Sequence, residues 1–232
     1  MRKNNFLAFL NKAKNEGRDF LFEYESKSIL KEYGIPTTKF YLIKSEQEIE
    51  KIIKELNFPC VAKITSPKAI HKSEIGGVVL GINGKDELIK AYKKLAYIAQ
   101  QNNIPLEGVL IEEQAEQGIE AIIGVIKDPI FGHVIMFGTG GIYTEAFRDV
   151  SFKVLPVNKK DLFDLIDETK LGLILKNSRG KKYDLNILVE NLEKVVSLIE
   201  ENPEIIEMDL NPVFIYESDI KVVDARIRFH VI

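Results

Sequence analysis

Three apolar, strand-length runs near residues 108–112, 119–127 and 132–137 follow one another with no helical pattern between them. Strands that run before a set of helices, rather than alternating with them, favour an α+β arrangement. Helix and strand patterns alternate before this block. Residues 4–15 and 24–33 carry apolar side chains at helical spacing (Phe6, Leu7, Leu10; then Ile29, Leu30, Tyr33), the second stopped by Gly34-Ile35-Pro36. Lys39 to Ile43 is a short β-rich run, and Ser45 with Glu48 has the spacing of a capping box that opens a helix to about Leu56. Strands are expected over Cys60–Ile64 and Gly76–Ile82, then an amphipathic helix from Asp86 to about Gln101. After the three runs come a strand at Phe152–Val157, helices near 159–168, 170–176 and 184–201, and a terminal hairpin of strands 213–216 and 220–224. The pattern predicts an α/β lobe over residues 1–105 and an α+β lobe over 106–232, joined by a short linker near 102–107.

Composition narrows the classes of function. The 232 residues are 45% apolar and 29% charged, enough for a sizeable core and against wholesale disorder. With 32 Lys+Arg against 35 Asp+Glu the net charge is −3, so the chain lacks the global positive field of a dedicated nucleic-acid binder. A single cysteine, Cys60, excludes an internal disulfide framework and a cysteine metal cluster, and suits a reducing, cytoplasmic setting. The apolar stretch Phe6–Leu10 is too short for a signal-peptide core, and no 18-residue apolar run occurs.

Five segments carry residues suited to chemistry. Lys63 sits in the apolar run Val61-Ala62-Lys63-Ile64 and needs an anionic partner there, either a nucleotide phosphate or a structural carboxylate. His71-Lys72-Ser73-Glu74-Ile75-Gly76-Gly77 offers an imidazole, a cation, a hydroxyl and a glycine pair, the makings of a phosphate loop or of a polar hairpin. Glu112-Glu113-Gln114-Ala115, with Glu120 beyond, suits a hinge that meets a base edge and ribose hydroxyls, or a solvated acidic turn. Gly138-Thr139-Gly140-Gly141 permits close backbone approach, although it lacks GxGxxG spacing. Asp209-Leu210-Asn211-Pro212 and Asp224 are expected at the ends of two strands of one hairpin. There Asn211 and Asp224 can converge on a hard cation such as Mg²⁺ or form strand-end turns.

Taken together, these motifs resemble an ATP-grasp module. Val61-Ala62-Lys63, the segment from His71 to Gly77, Gly138 to Glu145, Arg148-Asp149-Val150-Ser151-Phe152, Arg179-Gly180 and Asp209 to Pro212 are similar to the β subunits of archaeal ADP-forming acetyl-CoA synthetases. Those belong to a superfamily that includes succinyl-CoA synthetase. The resemblance spans nearly the whole chain. It implies two ATP-grasp lobes with nucleotide in the cleft between them. It further implies the reaction acyl-CoA + ADP + phosphate ⇌ acid + ATP + CoA through phosphohistidine. An α subunit carrying the CoA domain and the histidine is implied as partner, in an α2β2 assembly. The resemblance places Lys63 on the nucleotide phosphates, His71, Lys72 and Ser73 in the phosphate loop, and the glycine loop with Gly140 and Gly141 on the transferring oxygens. It places Glu112, Glu113, Gln114 and Ala115 at the adenine hinge and Glu120 at the ribose. Asn211 and Asp224 take the Mg²⁺ positions, and Asp209 faces the incoming phosphohistidine beside them.

At His71 the succinyl-CoA synthetase pattern has glycine and the acetyl-CoA synthetase branch has histidine. His71 is therefore expected to relay the phosphoryl group, with simple hydrogen bonding to phosphate as the alternative. His133 and His230 have no comparable context. Two rival readings are a carboxylate ligase working through an acyl phosphate and a non-catalytic nucleotide sensor. The first usually carries its own substrate domain, for which 232 residues leave little room. The second has no need of the Asp209, Asn211 and Asp224 group.

Overall fold

The computed structural model describes residues 5–68, 75–141, 149–178 and 180–230. The chain divides into two compact units, Met1–Thr37 with Gln117–Ile232, and Thr38–Glu116. The first segment supplies α1 (Asn5–Asn15), the short β1 (Phe20–Leu21) and α2 (Glu23–Glu32). The smaller unit runs β2 (Phe40–Ile43), α3 (Ile49–Ile52), β3 (Cys60–Thr65), β4 (Val78–Ile82), α4 (Lys85–Gln101) and β5 (Gly108–Glu113). The chain returns as β6 (Ile119–Asp128), β7 (Gly132–Thr139) and β8 (Val150–Val154), followed by α5 (Lys159–Asp167), α6 (Lys170–Asn177) and α7 (Leu185–Glu201). It ends in β9 (Ile205–Ile215), β10 (Ile220–Val222) and β11 (Ala225–Phe229).

The smaller unit is a four-stranded antiparallel sheet in the order β2-β5-β3-β4. Leu88, Ala91, Leu95 and Ala99 of α4 pack with Cys60, Ala62, Ile64, Val109 and Ile111 in its core. The helical period of four residues on α4 meets the two-residue period of the strands, which gives this sheet one covered face. Cys60 is a core residue: burial, with a smaller contribution from the Glu87 charge, pushes its thiol up to about 12.

The larger sheet has the order β1-β11-β9-β6-β7-β8, with β10 paired to β9. Ala121, Ile123, Val125, Ile135, Phe137, Leu210, Val213, Ile227 and Phe229 pack into one core with α1, α2, α5, α6 and α7. Each fully buried Leu, Ile or Phe contributes about 1.5–3 kcal/mol, so a one-residue slip that moved this set to the other face would forfeit the core. The alternate positions Glu120, Glu207, Asp209, Asn211, Arg226 and Arg228 are only partly buried.

Four expectations differ from the structure. The unit boundaries are not 1–105 and 106–232. β5 lies between β2 and β3 and belongs to the smaller sheet, whereas β1 pairs with β11 and α1 and α2 bury Phe6, Leu10, Ile29 and Leu30 in the larger core. Ser45 makes no capping bond, because the first turn is a short 3₁₀ segment and the Glu48 carboxylate accepts from the Lys44 amide instead. The strand expected at 152–157 starts and ends earlier, at Val150 and Val154, set by its register against β7. Finally, Asp209 stands inside the eleven-residue β9 and Asp224 precedes a further strand, β11, so neither terminates the sheet.

Candidate functional site

In the smaller unit Lys63 is 7% exposed and Glu112 1% exposed. In the β3–β5 ladder Lys63 faces Leu110 and Glu112 faces Val61, which makes the two charged side chains diagonal neighbours on one sheet face. The Lys63 ammonium is ion-paired with Glu112 Oε1, and the Thr38 hydroxyl donates to Glu112 Oε2 at 2.7 Å. Of the two partners open to Lys63, the structure therefore shows the carboxylate. Glu112 turns inward to this pair. The next hinge residues bind the hinge to its neighbours. The Glu113 amide donates to the Lys39 carbonyl and the Gln114 amide to the Pro59 carbonyl, both at 3.0 Å. The Glu113 carboxylate accepts from Asn57 at 2.8 Å, and Gln114 Oε1 accepts from the Gly81 amide at 2.9 Å. Ala115 lies past the end of β5, and its amide has no hydrogen-bond partner among the described residues.

In the larger unit the glycine loop begins where β7 ends. A Cβ on Gly140 would lie 2.3 Å from the Ala121 carbonyl oxygen, and one on Gly141, at φ +74°, would lie 1.7 Å from Glu120 Oε2. Both positions demand glycine, the second for its left-handed backbone as well. The Gly140 amide donates to the Glu120 carbonyl and the Gly141 amide to Asn211 Oδ1, each at 3.0 Å. Glu120, Gly140, Gly141 and Asn211 are thus one cluster. Asp149 fixes the far side of the loop. It accepts from the Thr139 hydroxyl at 2.7 Å and from the Lys170 and Leu171 amides at 2.7 and 3.0 Å, at the N-terminus of α6. Burial would raise the Asp149 pKa, but these donors outweigh it and hold the carboxyl below the usual range.

The β6–β9 ladder shifts register between Ala121 and Ile123, which face Val213 and Leu210. The extra β9 residue falls at Asn211-Pro212, where proline has no N–H for the ladder. This bulge turns Asn211 towards the glycine loop while Asp209 stays on the polar face. Asp209 faces Arg226 on β11, and the Val223 amide donates to the Pro212 carbonyl at 3.0 Å, which brings Asp224 alongside. The Asp209 pKa is raised, first by burial and then by the negative charges of Asp224 and Glu207, with Arg226 opposing.

Two carboxylates, Asp209 and Asp224, beside the Asn211 amide oxygen fit a hard divalent cation. Mg²⁺ takes a few protein oxygens and completes its shell with phosphate and water. Asn211, Asp224 and Asp209 supply that number. Among the described residues no group of three or more His, Cys, Asp or Glu makes a full metal cage. His71, Lys72 and Ser73 lie outside the described residues, as do Ile142 to Arg148 and Arg179. His133 is structural, with Nε2 2.7 Å from the Ile205 carbonyl. Sequence reading missed Thr38, Glu207 and Arg226. For the last two the two-residue period from Asp209 on β9, and the Asp224-Ala225-Arg226 run, held the signal.

The family model described as an ATP-grasp domain matches residues 12–229. The β subunit of acetate–CoA ligase (ADP-forming) I from Pyrococcus furiosus is 42% identical over 220 residues, 94% of each chain. The solved structure of the Ca. Korarchaeum cryptofilum dinucleotide forming acetyl-coenzyme A synthetase 1 with coenzyme A, Ca-AMPCP and HgCl+ has a TM-score of 0.91 at 42% identity, over 98% of this chain and 100% of that one. Another structure of that enzyme holds coenzyme A and Mg-AMPPCP, with its phosphohistidine segment pointing towards the nucleotide binding site. It has a TM-score of 0.84 at 40% identity, over 96% of this chain and 99% of that one. These matches span both sheets and the clusters around Lys63 and Asp209, and the chain belongs to the ATP-grasp family, in the branch of ADP-forming acetyl-CoA synthetase β subunits.

Proposed function

We propose that this chain is the nucleotide-binding subunit of an ADP-forming acyl-CoA synthetase, which interconverts acyl-CoA, ADP and phosphate with acid, ATP and CoA. The observation that carries the reading is the end-to-end match to a separately encoded β subunit. The Lys63 ion pair and the Asp209 cluster give that match its chemistry. Lys63 meets the nucleotide phosphates, the amide of Ala115 meets the base edge, and Glu120 takes the ribose hydroxyls. Gly140 and Gly141 bring backbone close to the transferring oxygens. Asn211 and Asp224 hold Mg²⁺, which when bound offsets phosphate charge.

Asp209 orients the imidazole of an incoming phosphohistidine from the partner subunit and holds its second nitrogen in the reactive tautomer. The N–P bond of that histidine breaks as a ring nitrogen of His71 forms a new N–P bond, and the His71 N–P bond then breaks as an oxygen of ADP forms the O–P bond, each departing nitrogen keeping its electron pair. His71 and its neighbours Lys72 and Ser73 receive the phosphoryl group on its way, with His71 as the relay. The partner brings the CoA domain and the acyl site, in an assembly of two such chains with two partners in the cytoplasm.

The test is ATP formation from acetyl-CoA, ADP and phosphate, with the purified chain alone and with its separately expressed partner. The chain alone should bind ADP with Mg²⁺ and make no ATP, and the mixture should turn over. Turnover by the chain alone overturns the subunit reading. Absence of ADP binding overturns the nucleotide reading. His71→Asn should abolish net ATP formation while ADP affinity stays within a few-fold, and near-normal turnover of that variant sinks the relay.

A further inference from the structure

Lys63 lies on a strand whose six residues are all buried. A lysine has a flexible four-carbon stem, and holding its ammonium at one point costs rotamer freedom. A phosphate-binding lysine that is already fixed spares the ligand that cost. Stability alone gives no reason for the charges, because a buried ion pair is commonly replaceable by apolar residues of similar volume without loss. The pair is also more than a pair. Thr38, the first residue of the smaller unit and 2% exposed, donates its hydroxyl to the carboxylate oxygen that Lys63 does not take. Thr38 precedes β2, whose Phe40 faces Glu112 across the ladder, so the backbone sets the hydroxyl at the carboxylate.

We propose that Thr38 and Glu112 are positioning residues for Lys63. The Thr38 hydroxyl anchors one carboxylate oxygen of Glu112, the other holds the ammonium, and the phosphate-binding cation is aimed before nucleotide arrives. Glu112 then serves the hinge through its carboxylate's grip on Lys63 rather than through contact with the base. This inference rests on the nucleotide-binding reading above. A chain of three buried groups, each fixed by the next, transmits a change at Thr38 to a phosphate that Thr38 does not touch.

The experiment is ADP affinity by titration calorimetry on the full chain with Mg²⁺, accompanied by thermal melting of each variant. Thr38→Val keeps the shape and removes the hydroxyl. It should weaken ADP about fivefold, a fraction of what one hydrogen bond to a charged group contributes. Thr38→Ser restores the hydroxyl and should return affinity to within about twofold of the parent, which a packing role for the threonine methyl would not do. In a Lys63→Met background Thr38→Val should cost no further affinity, since the group it acts through is gone. Equal ADP binding by the parent and Thr38→Val overturns the proposal, and so does an equal loss in both backgrounds. Should valine unfold the chain, Thr38→Ala carries the same comparison. A parent chain that does not bind ADP at all overturns the nucleotide reading and this proposal with it. Binding by the parent with unchanged affinity in every Thr38 variant overturns this proposal alone.

Discussion

Two charged clusters, one around Lys63 in the smaller unit and one around Asp209 in the larger, differ in how their charges are met. In the smaller one Lys63 and Glu112 neutralise each other inside the sheet, with Thr38 on the remaining oxygen. In the larger one Asp209, Asp224 and Glu207 share one polar face, and their mutual repulsion adds to burial in raising the Asp209 pKa. A second aspartate of the larger unit, Asp149, behaves like the smaller unit instead, because three donors satisfy it. The difference separates a lysine met by a carboxylate from an aspartate set beside other acids. The smaller unit's ion pair is closed within the chain, and under the proposed function its cation is shared with a phosphate. In the larger unit Arg228 pairs with Glu207 at 3.1 Å and Arg226 faces Asp209, yet burial and the neighbouring acids still raise the Asp209 pKa.

Substitutions at these positions either break that contrast or sharpen it. The largest effect is expected at Asp209. Asp209→Asn should lower ATP formation by the reconstituted enzyme about a thousandfold, on the scale of losing a charged group that acts in the transition state. The same change should raise the melting temperature of the free chain by about 2 °C, since it removes one of three like charges. A loss of both activity and stability would mean that Asp209 holds the fold. Next comes Lys63→Met, which leaves Glu112 buried without its cation and should cost about 3 kcal/mol in urea unfolding. The double variant Lys63→Met, Glu112→Gln should recover most of that loss. If it recovers none, the pair is not a self-contained unit.

Asp224→Asn should weaken ADP about tenfold in Mg²⁺ and hardly at all in EDTA, on the scale of removing one group that supports a metal site. Equal weakening in both would assign Asp224 to the nucleotide rather than to the cation. The smallest effect is at Asp149, where Asp149→Asn should cost about 1 kcal/mol at pH 7, one weakened set of hydrogen bonds. Its pH dependence has a definite sign. The folded pKa of Asp149 is depressed, so its contribution is present above the usual carboxylate range and is lost as pH falls through the depressed value. Melting curves of the parent and Asp149→Asn should therefore converge in acid. For Asp209 the folded pKa is raised, so its stabilising contribution belongs to acid pH and is lost as pH rises through the raised value. The advantage of Asp209→Asn over the parent should therefore grow towards neutral pH.

Much of this was legible in the order of residues. The consecutive apolar runs near 108–137 marked three strands with no helix between them, and β5, β6 and β7 stand there, although β5 pairs into the smaller sheet. A lysine inside an apolar strand announced an anionic partner, because a bare ammonium is too costly to bury. The motifs around Lys63, Gly140 and Asp209 carried the family resemblance across the whole chain. Three things were not legible. The assignment of β5 to the smaller sheet depends on pairing with β2 and β3, and pattern along the chain says nothing of which strands lie side by side. The Asn211 bulge depends on a mismatch between β9 and β6 that only two paired strands can express. Thr38 carried no signal in the sequence, because nothing local tied it to a glutamate 74 positions away.

The sequence by itself determined which residues are forced. Glycine is required where backbone crowds backbone at Gly140 and where φ is positive at Gly141, and an apolar residue at every second strand position fixes which face is core. The strand period is a local consequence of side-chain alternation, whereas the crowding of Gly140 comes from Ala121 on a neighbouring strand. Only the tertiary structure decided which charge meets which. Ion pairing and pKa depend on distances between segments far apart in the chain, and so does the difference between Asp149, satisfied by donors, and Asp209, pressed against other acids. Composition counted the charges, and folding paired Lys63 with Glu112 and set Asp209 beside Asp224 and Glu207.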